Sequence, residues 1–142
     1  MLHAPYDPDN VFARILSGEI PAAVIAESER TLAFMDAFPQ TRGHCLVIPK
    51  APVRNILDVS RKDLSAVTDQ TQKIARAVDA ALKPDGIVVT QFNGQPAGQT
   101  VFHLHMHVIP RYNGGQEHPH GGAPASDMDE LKTLAALIKE HL

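Results

Sequence analysis

Cysteine occurs once in the 142 residues, at Cys45, so no intrachain disulfide can form and the composition fits a reducing cytoplasm. No apolar run approaches the roughly 20 residues of a membrane-spanning helix, so no membrane association is expected. The opening MLHAPYDPDN lacks the basic stretch and apolar run of a secretory leader, and none is expected. Neither sign of charge dominates: 13 Lys and Arg against 16 Asp and Glu give a formal net charge of −3. That excludes a general basic footprint for nucleic acid, while a local anion site, which needs only a few donors, stays open. Repeats and low-complexity segments are also missing.

What is present is ordinary for a globular chain, with 44% hydrophobic and 20% charged residues. The length is read as one domain spanning 1–142, with a core at 10–112, a loop at 112–125 and a C-terminal helix at 126–141. Asn10 is an N-cap candidate for a short helix carrying Val11, Phe12, Ile15 and Leu16 up to Gly18. AVIAES (23–28), TLAFMD (31–36) and HCLVIP (44–49) read as strands. Ser60 and Asp63 resemble a capping box, and Leu64, Val67, Thr71, Ile74, Val78 and Leu82 mark one face of a long helix that Pro84 and Gly86 stop. IVVTQF (87–92) and residues 101–110 read as an antiparallel pair joined by the loop NGQPAGQT. Ser126 is the expected cap of a last helix with Leu131, Leu134 and Ile138 on one side. The pattern is α+β, an antiparallel sheet with helices laid on it.

The fifth expected strand reads VFHLHMHVIP. Residues i, i+2 and i+4 of a strand share a face, so the reading places His103, His105 and His107 on one side and Phe102, Leu104, Met106 and Val108 on the other. Three imidazoles in register are a poor packing solution. A single metal ion is a second reading, but the outer pair of such a row lie about 13 Å apart, so a third ligand would have to come from His44, His118 or His120. A phosphate is the third. Neutral imidazole is a nucleophile near pH 7, neighbouring rings resist simultaneous protonation, Gly94 and Gly98 let backbone N–H groups approach an anion, and Thr100 offers a hydroxyl.

HLHMHVI resembles the His-x-His-x-His signature of the histidine triad (HIT) family of nucleotidyl hydrolases and transferases. VFARILSGEIPAAVIAESERTLAFMDAFPQTRGHCLVIPK and FNGQPAGQTVFHLHMHVIPR look like the N-terminal half and the active-site hairpin of its Hint-like bacterial branch. The resemblance covers most of residues 10–112. It implies a five-stranded antiparallel sheet with a long helix and shorter helices, a twofold homodimer, and no cofactor. It also implies hydrolysis at the α-phosphorus of purine nucleoside phosphoramidates or related AMP and GMP conjugates through a nucleotidyl-histidine. His105 matches the nucleophile, His103 its orienting residue, His107 the phosphate-contacting ring and His44 the histidine behind the triad. Asn93, Gln99 and Thr100, with Gly98 in the same loop, match the phosphate and leaving-group side; threonine stands where serine is usual. Asp36 matches the ribose-binding acid, and Val11, Phe12, Ile15, Phe34 and Ala37 the walls around the base.

Two departures follow. With no tryptophan, the Trp-containing C-terminal motif of some eukaryotic members is missing. Many bacterial relatives carry a structural zinc on a Cys-x-x-Cys pair and a histidine; here Asn10, Ala13 and Pro52 stand at those positions, so no metal is expected. Cys45 and His44 should face opposite sides of their strand, which excludes a Cys–His pair, and His118 and His120 read as a solvated loop, rather than a ligand pair, that has room to sit over the site. The expected activity is a cytoplasmic nucleotide hydrolase. A dinucleoside polyphosphate hydrolase and a nucleotide-binding adaptor without turnover are the alternatives.

Overall fold

A computed structural model describes residues 2–142. Asn10 caps α1 (Val11–Leu16), its side-chain oxygen accepting from the backbone N–H of Phe12 and Ala13, both at 3.0 Å. Strands β1 (Val24–Glu27), β2 (Thr31–Met35) and β3 (Cys45–Pro49) follow. Ser60 then caps α2 (Arg61–Leu82) as the expected box, and Lys83 ends it in the left-handed region at φ 50°. Strand β4 (Gly86–Thr90), a 3₁₀ turn at Gln95–Ala97, β5 (Met106–Arg111) and α3 (Met128–Lys139) complete the order.

The five strands form one antiparallel sheet in the order β1-β2-β3-β5-β4. Strand alternation sorts its two faces. Ala33, Met35, Cys45, Val47 and Val108 turn toward α2 and α3 and form the main core with Val67, Ile74, Val78, Leu131 and Ile138. Leu32, Phe34, Leu46 and Ile48 turn the other way and meet Phe12 of α1. His107 is paired opposite Leu46, so it belongs to this second face. Cys45 is fully buried on the helix side, where burial pushes its thiol pKa far up, so it is no nucleophile.

Two expectations are corrected. Residues 101–105 are not strand. The ladder between β3 and β5 starts at the Val47–Met106 pair. Two pairs further, opposite Leu104, Pro49 has no N–H to give and its carbonyl is taken by the His103 ring, while the Leu104 N–H goes to the Val53 carbonyl at 2.9 Å. The last helix is capped by Asp127 rather than Ser126, whose N–H instead reaches the Ala37 carbonyl at 2.9 Å.

Candidate active site

A cavity of about 590 Å³ opens on the second face of the sheet. Val11, Phe12, Ile15, Phe34 and Ala37 line one end, and Asp36, His44, Thr100, His105 and His107 the other. That size is typical of a small-molecule site. The structure brings ten of the expected residues to one wall and leaves Asn93, Gly98, Gln99 and His103 off it.

Those four have other work. The Gln99 side chain is buried: its carbonyl accepts from Gly94 N–H at 2.8 Å and its amide donates to the carbonyls of Arg54 and Val101 at 2.8 and 3.1 Å. Asn93 accepts from the Ile56 N–H at 2.9 Å and exchanges hydrogen bonds with the Gln91 amide. Gly98 supplies a left-handed turn at φ 108° that only glycine adopts without strain. Together they shape the loop that presents Thr100. The His103 ring faces away from the cavity, donating from Nε2 to the Pro49 carbonyl at 2.8 Å, which leaves Nδ1 to accept from the Tyr6 hydroxyl at 2.6 Å. Tyr6 has no signal in the motif; its contact crosses 97 positions of sequence.

The decisive geometry is which ring nitrogen each remaining histidine leaves open. His105 Nδ1 lies 2.7 Å from the His103 backbone carbonyl. A carbonyl only accepts, so Nδ1 carries the proton and Nε2 keeps a free lone pair. His107 takes the opposite form. The Gln40 backbone N–H donates to His44 Nδ1 at 3.0 Å, so His44 is protonated at Nε2. That N–H donates to His107 Nδ1 at 2.9 Å, so His107 bears its proton on Nε2. His107 Nε2 is buried and has no hydrogen-bond partner among the described residues. The two rings are 4.9 Å apart between centroids, placing a lone pair beside an unspent donor. A buried donor without a partner is costly, and an anionic oxygen would satisfy it.

Burial holds these rings neutral. Desolvation pushes His105 down to about 4, His44 to about 3 and His107 to about 2, with neighbouring imidazoles adding to each, and it lowers His103 as well. Asp36 moves the other way, raised to about 6 by desolvation and held back by the Phe38 N–H that its carboxylate accepts at 2.8 Å. Its other oxygen is 3.4 Å from His44 Nε2. With His44 neutral, this contact is not an ion pair. Phe12 meets the His105 ring edge-on at 4.9 Å and stacks its edge against Phe34 at 5.5 Å, so the nucleophile candidate is braced by the apolar wall. Gly43, at φ 92°, precedes His44, and a Cβ there would lie 2.3 Å from a Leu82 methyl carbon.

A carboxylate oxygen of Asp36 and ring nitrogens of His44 and His107 lie within 4.8 Å of one another and are the one set among the described residues able to ligate an ion. The nitrogens of that set are the ones the Gln40–His44–His107 relay uses. At the positions where zinc-bearing relatives have ligands, Asn10 spends its side chain on the α1 cap, and Ala13 and Pro52 offer no donor atom, so a structural zinc does not fit there. His120 is exposed in its loop, as expected, and that loop sits over the site: the ring lines the cavity, tilts over Phe92 at 4.5 Å and meets His107 edge-on at 5.6 Å.

The HIT-domain family profile matches residues 17–114. The chain belongs to the HIT family. It is 42% identical over 105 residues to the protein named Hit of Bacillus subtilis, covering 74% of this chain and 72% of that one. A solved structure of a HIT-like protein of Bartonella henselae, described as involved in cell-cycle regulation and holding an unknown ligand, matches with a TM-score of 0.89 and 41% identity over 97% of this chain and 100% of that one. A solved structure described as a hypothetical histidine triad nucleotide-binding protein of Sulfolobus tokodaii matches with a TM-score of 0.84 and 28% identity, over 92% and 89% of the two chains. The five-stranded α+β architecture is therefore the HIT fold.

Proposed function

We propose that this HIT protein hydrolyses purine nucleoside phosphoramidates or related nucleotide conjugates at the α-phosphorus, through a nucleotide bound covalently to His105. The observation that carries the reading is the opposed protonation of His105 and His107: a lone pair and an N–H face the same cavity, each fixed by a backbone group. In the first step His105 Nε2 bonds to phosphorus and the bond to the leaving amine breaks, its electron pair departing with the amine, which takes up a proton passed from solvent water through the Thr100 hydroxyl. In the second, a water oxygen bonds to phosphorus and releases a proton to solvent, which balances the one the amine took up, while the phosphorus–Nε2 bond breaks and its electron pair returns to the ring. His107 donates to a nonbridging oxygen in both transition states. The His103 carbonyl stabilises the charge on the His105 adduct through the Nδ1 proton. Asp36 accepts the ribose hydroxyls, and Val11, Phe12, Ile15, Phe34 and Ala37 hold the purine. Asn93, Gly98 and Gln99 act by holding the Thr100 loop.

The nucleotide-binding description of the Sulfolobus relative supports the ligand class. We take it to work as a cytoplasmic homodimer on small nucleotides, and without a metal at the histidines, since His44 Nε2 and His107 Nδ1 already serve the relay. The test offers adenosine 5′-phosphoramidate and diadenosine polyphosphates to chelator-treated protein, with product analysis. AMP and ammonia formed at undiminished rate support the proposal. Turnover of the dinucleotides alone, or dependence on an added metal, contradicts it.

A further inference from the structure

The segment 113–125 crosses the phosphate end of the cavity as a strap. Its two sides are tied to the turn that carries Asp36 and His44: the His118 N–H donates to the Gln40 carbonyl at 2.8 Å, and the Ser126 N–H to the Ala37 carbonyl at 2.9 Å. Between these ties, His120 is the one side chain that reaches across to the Thr100 loop, its Nε2 donating to the Gly98 carbonyl at 2.5 Å. Its Nδ1 therefore accepts, and the Gln40 amide nitrogen faces it at 3.4 Å. The ring lies over Phe92 and against the edge of His107, whose Nε2 donor is buried beneath.

Among the described residues no lysine or arginine lines this cavity, and of the four histidines that do only His120 is exposed to solvent. An anionic phosphoryl group therefore finds few donors: the Nε2–H of His107, the Thr100 hydroxyl and the N–H that His120 now spends on a neutral carbonyl. Exchanging that carbonyl for a charged oxygen replaces an ordinary hydrogen bond by a charge-assisted one, roughly twice as strong. The strap can accommodate the exchange. Gly121, at φ 76°, and Gly122 follow His120 directly, and residues 119–125 belong to no strand or helix.

Resting on the proposed nucleotide chemistry, we propose that His120 is a substrate-contacting residue, delivered by a strap that closes over the phosphate, whose imidazole leaves the Gly98 carbonyl to bind a phosphoryl oxygen. The strap thereby recognises the phosphate, not the nucleoside.

The test compares affinities for AMP and for adenosine by calorimetry at one pH, in the wild type, His120→Ala and His120→Gln, the last of which keeps an N–H donor. The expected result is a drop of about tenfold in AMP affinity for His120→Ala, with adenosine unchanged and AMP binding largely restored in His120→Gln. Hydrogen exchange in residues 113–125 should slow on AMP binding in the wild type and in His120→Gln, and not in His120→Ala. An unchanged AMP-to-adenosine ratio in His120→Ala, or an equal loss for both ligands, overturns the inference and leaves the nucleotide reading standing. A wild type that binds neither ligand overturns the nucleotide reading itself.

Discussion

At the scale of the residue, the site is a problem of proton placement on five-membered rings. Three histidines identical in type take two tautomers because each meets a different backbone group: the His103 carbonyl puts the proton of His105 on Nδ1, while the Gln40 N–H acting through His44 and the Pro49 carbonyl put those of His107 and His103 on Nε2. Asp36 is the carboxylate in this wall with an unusual proton affinity, raised to about 6 because burial disfavours its charge. The charged form is the acceptor a diol needs, and it is complete above that value and lost below it. Affinity for adenosine, which carries no phosphate to titrate, should therefore weaken as the pH falls from 7 to 5. Asp36→Asn should bind adenosine at least about tenfold more weakly, as expected for losing a charge-assisted pair, and should show a flat profile over that range. The same pH dependence in the variant would remove Asp36 from the ribose site. His105 sets no limb in this window, because its free base persists to about pH 4.

At the scale of the element, strand β4 is one edge of the sheet and lies beside β5, which carries His107. Val88 and Val89 are both exposed there, so apolar side chains leave either face of a strand whose outer backbone groups have no partner in the sheet. Such an edge is a liability unless covered, and pairing with its own copy through a twofold axis is the simplest cover. Sedimentation at micromolar concentration should give twice the mass of the 15.4 kDa chain, and Val89→Lys should shift the equilibrium toward monomer. A wild type that sediments as a monomer would contradict the proposed dimer. The same edge shows how far a pattern reading reaches. Strands β1 to β4 and helix α2 were legible, because alternation, a capping box and terminal Pro and Gly act locally. The start of β5 was not, since it depends on Pro49, more than fifty positions away, withholding an N–H and lending its carbonyl to a side chain.

At the scale of the whole molecule, the sheet divides labour between its faces. One side carries the aliphatic core under α2 and α3, and the other carries the imidazoles and the base-sized apolar wall. The alternating histidines, Asp36 and the apolar wall could be read from the chain because their spacing and resemblance are local. Tyr6, Gln40 and His120 could not, since they come from an irregular N-terminal segment, a turn and a late loop that meet the triad only in three dimensions. The account's central claim is that this assembly makes His105 Nε2 the nucleophile. Rapid acid-free quenching of the wild type with adenosine 5′-phosphoramidate, followed by peptide mapping, tests it most directly. The predicted result is a base-stable, acid-labile phosphorus–nitrogen adduct on the peptide containing His105, absent from His105→Asn, which should lose at least about a thousandfold in rate, roughly 4 kcal/mol of barrier, while still binding AMP. Turnover with no trappable adduct, together with inversion at a chiral phosphorus, would mean that water attacks directly and would contradict the claim.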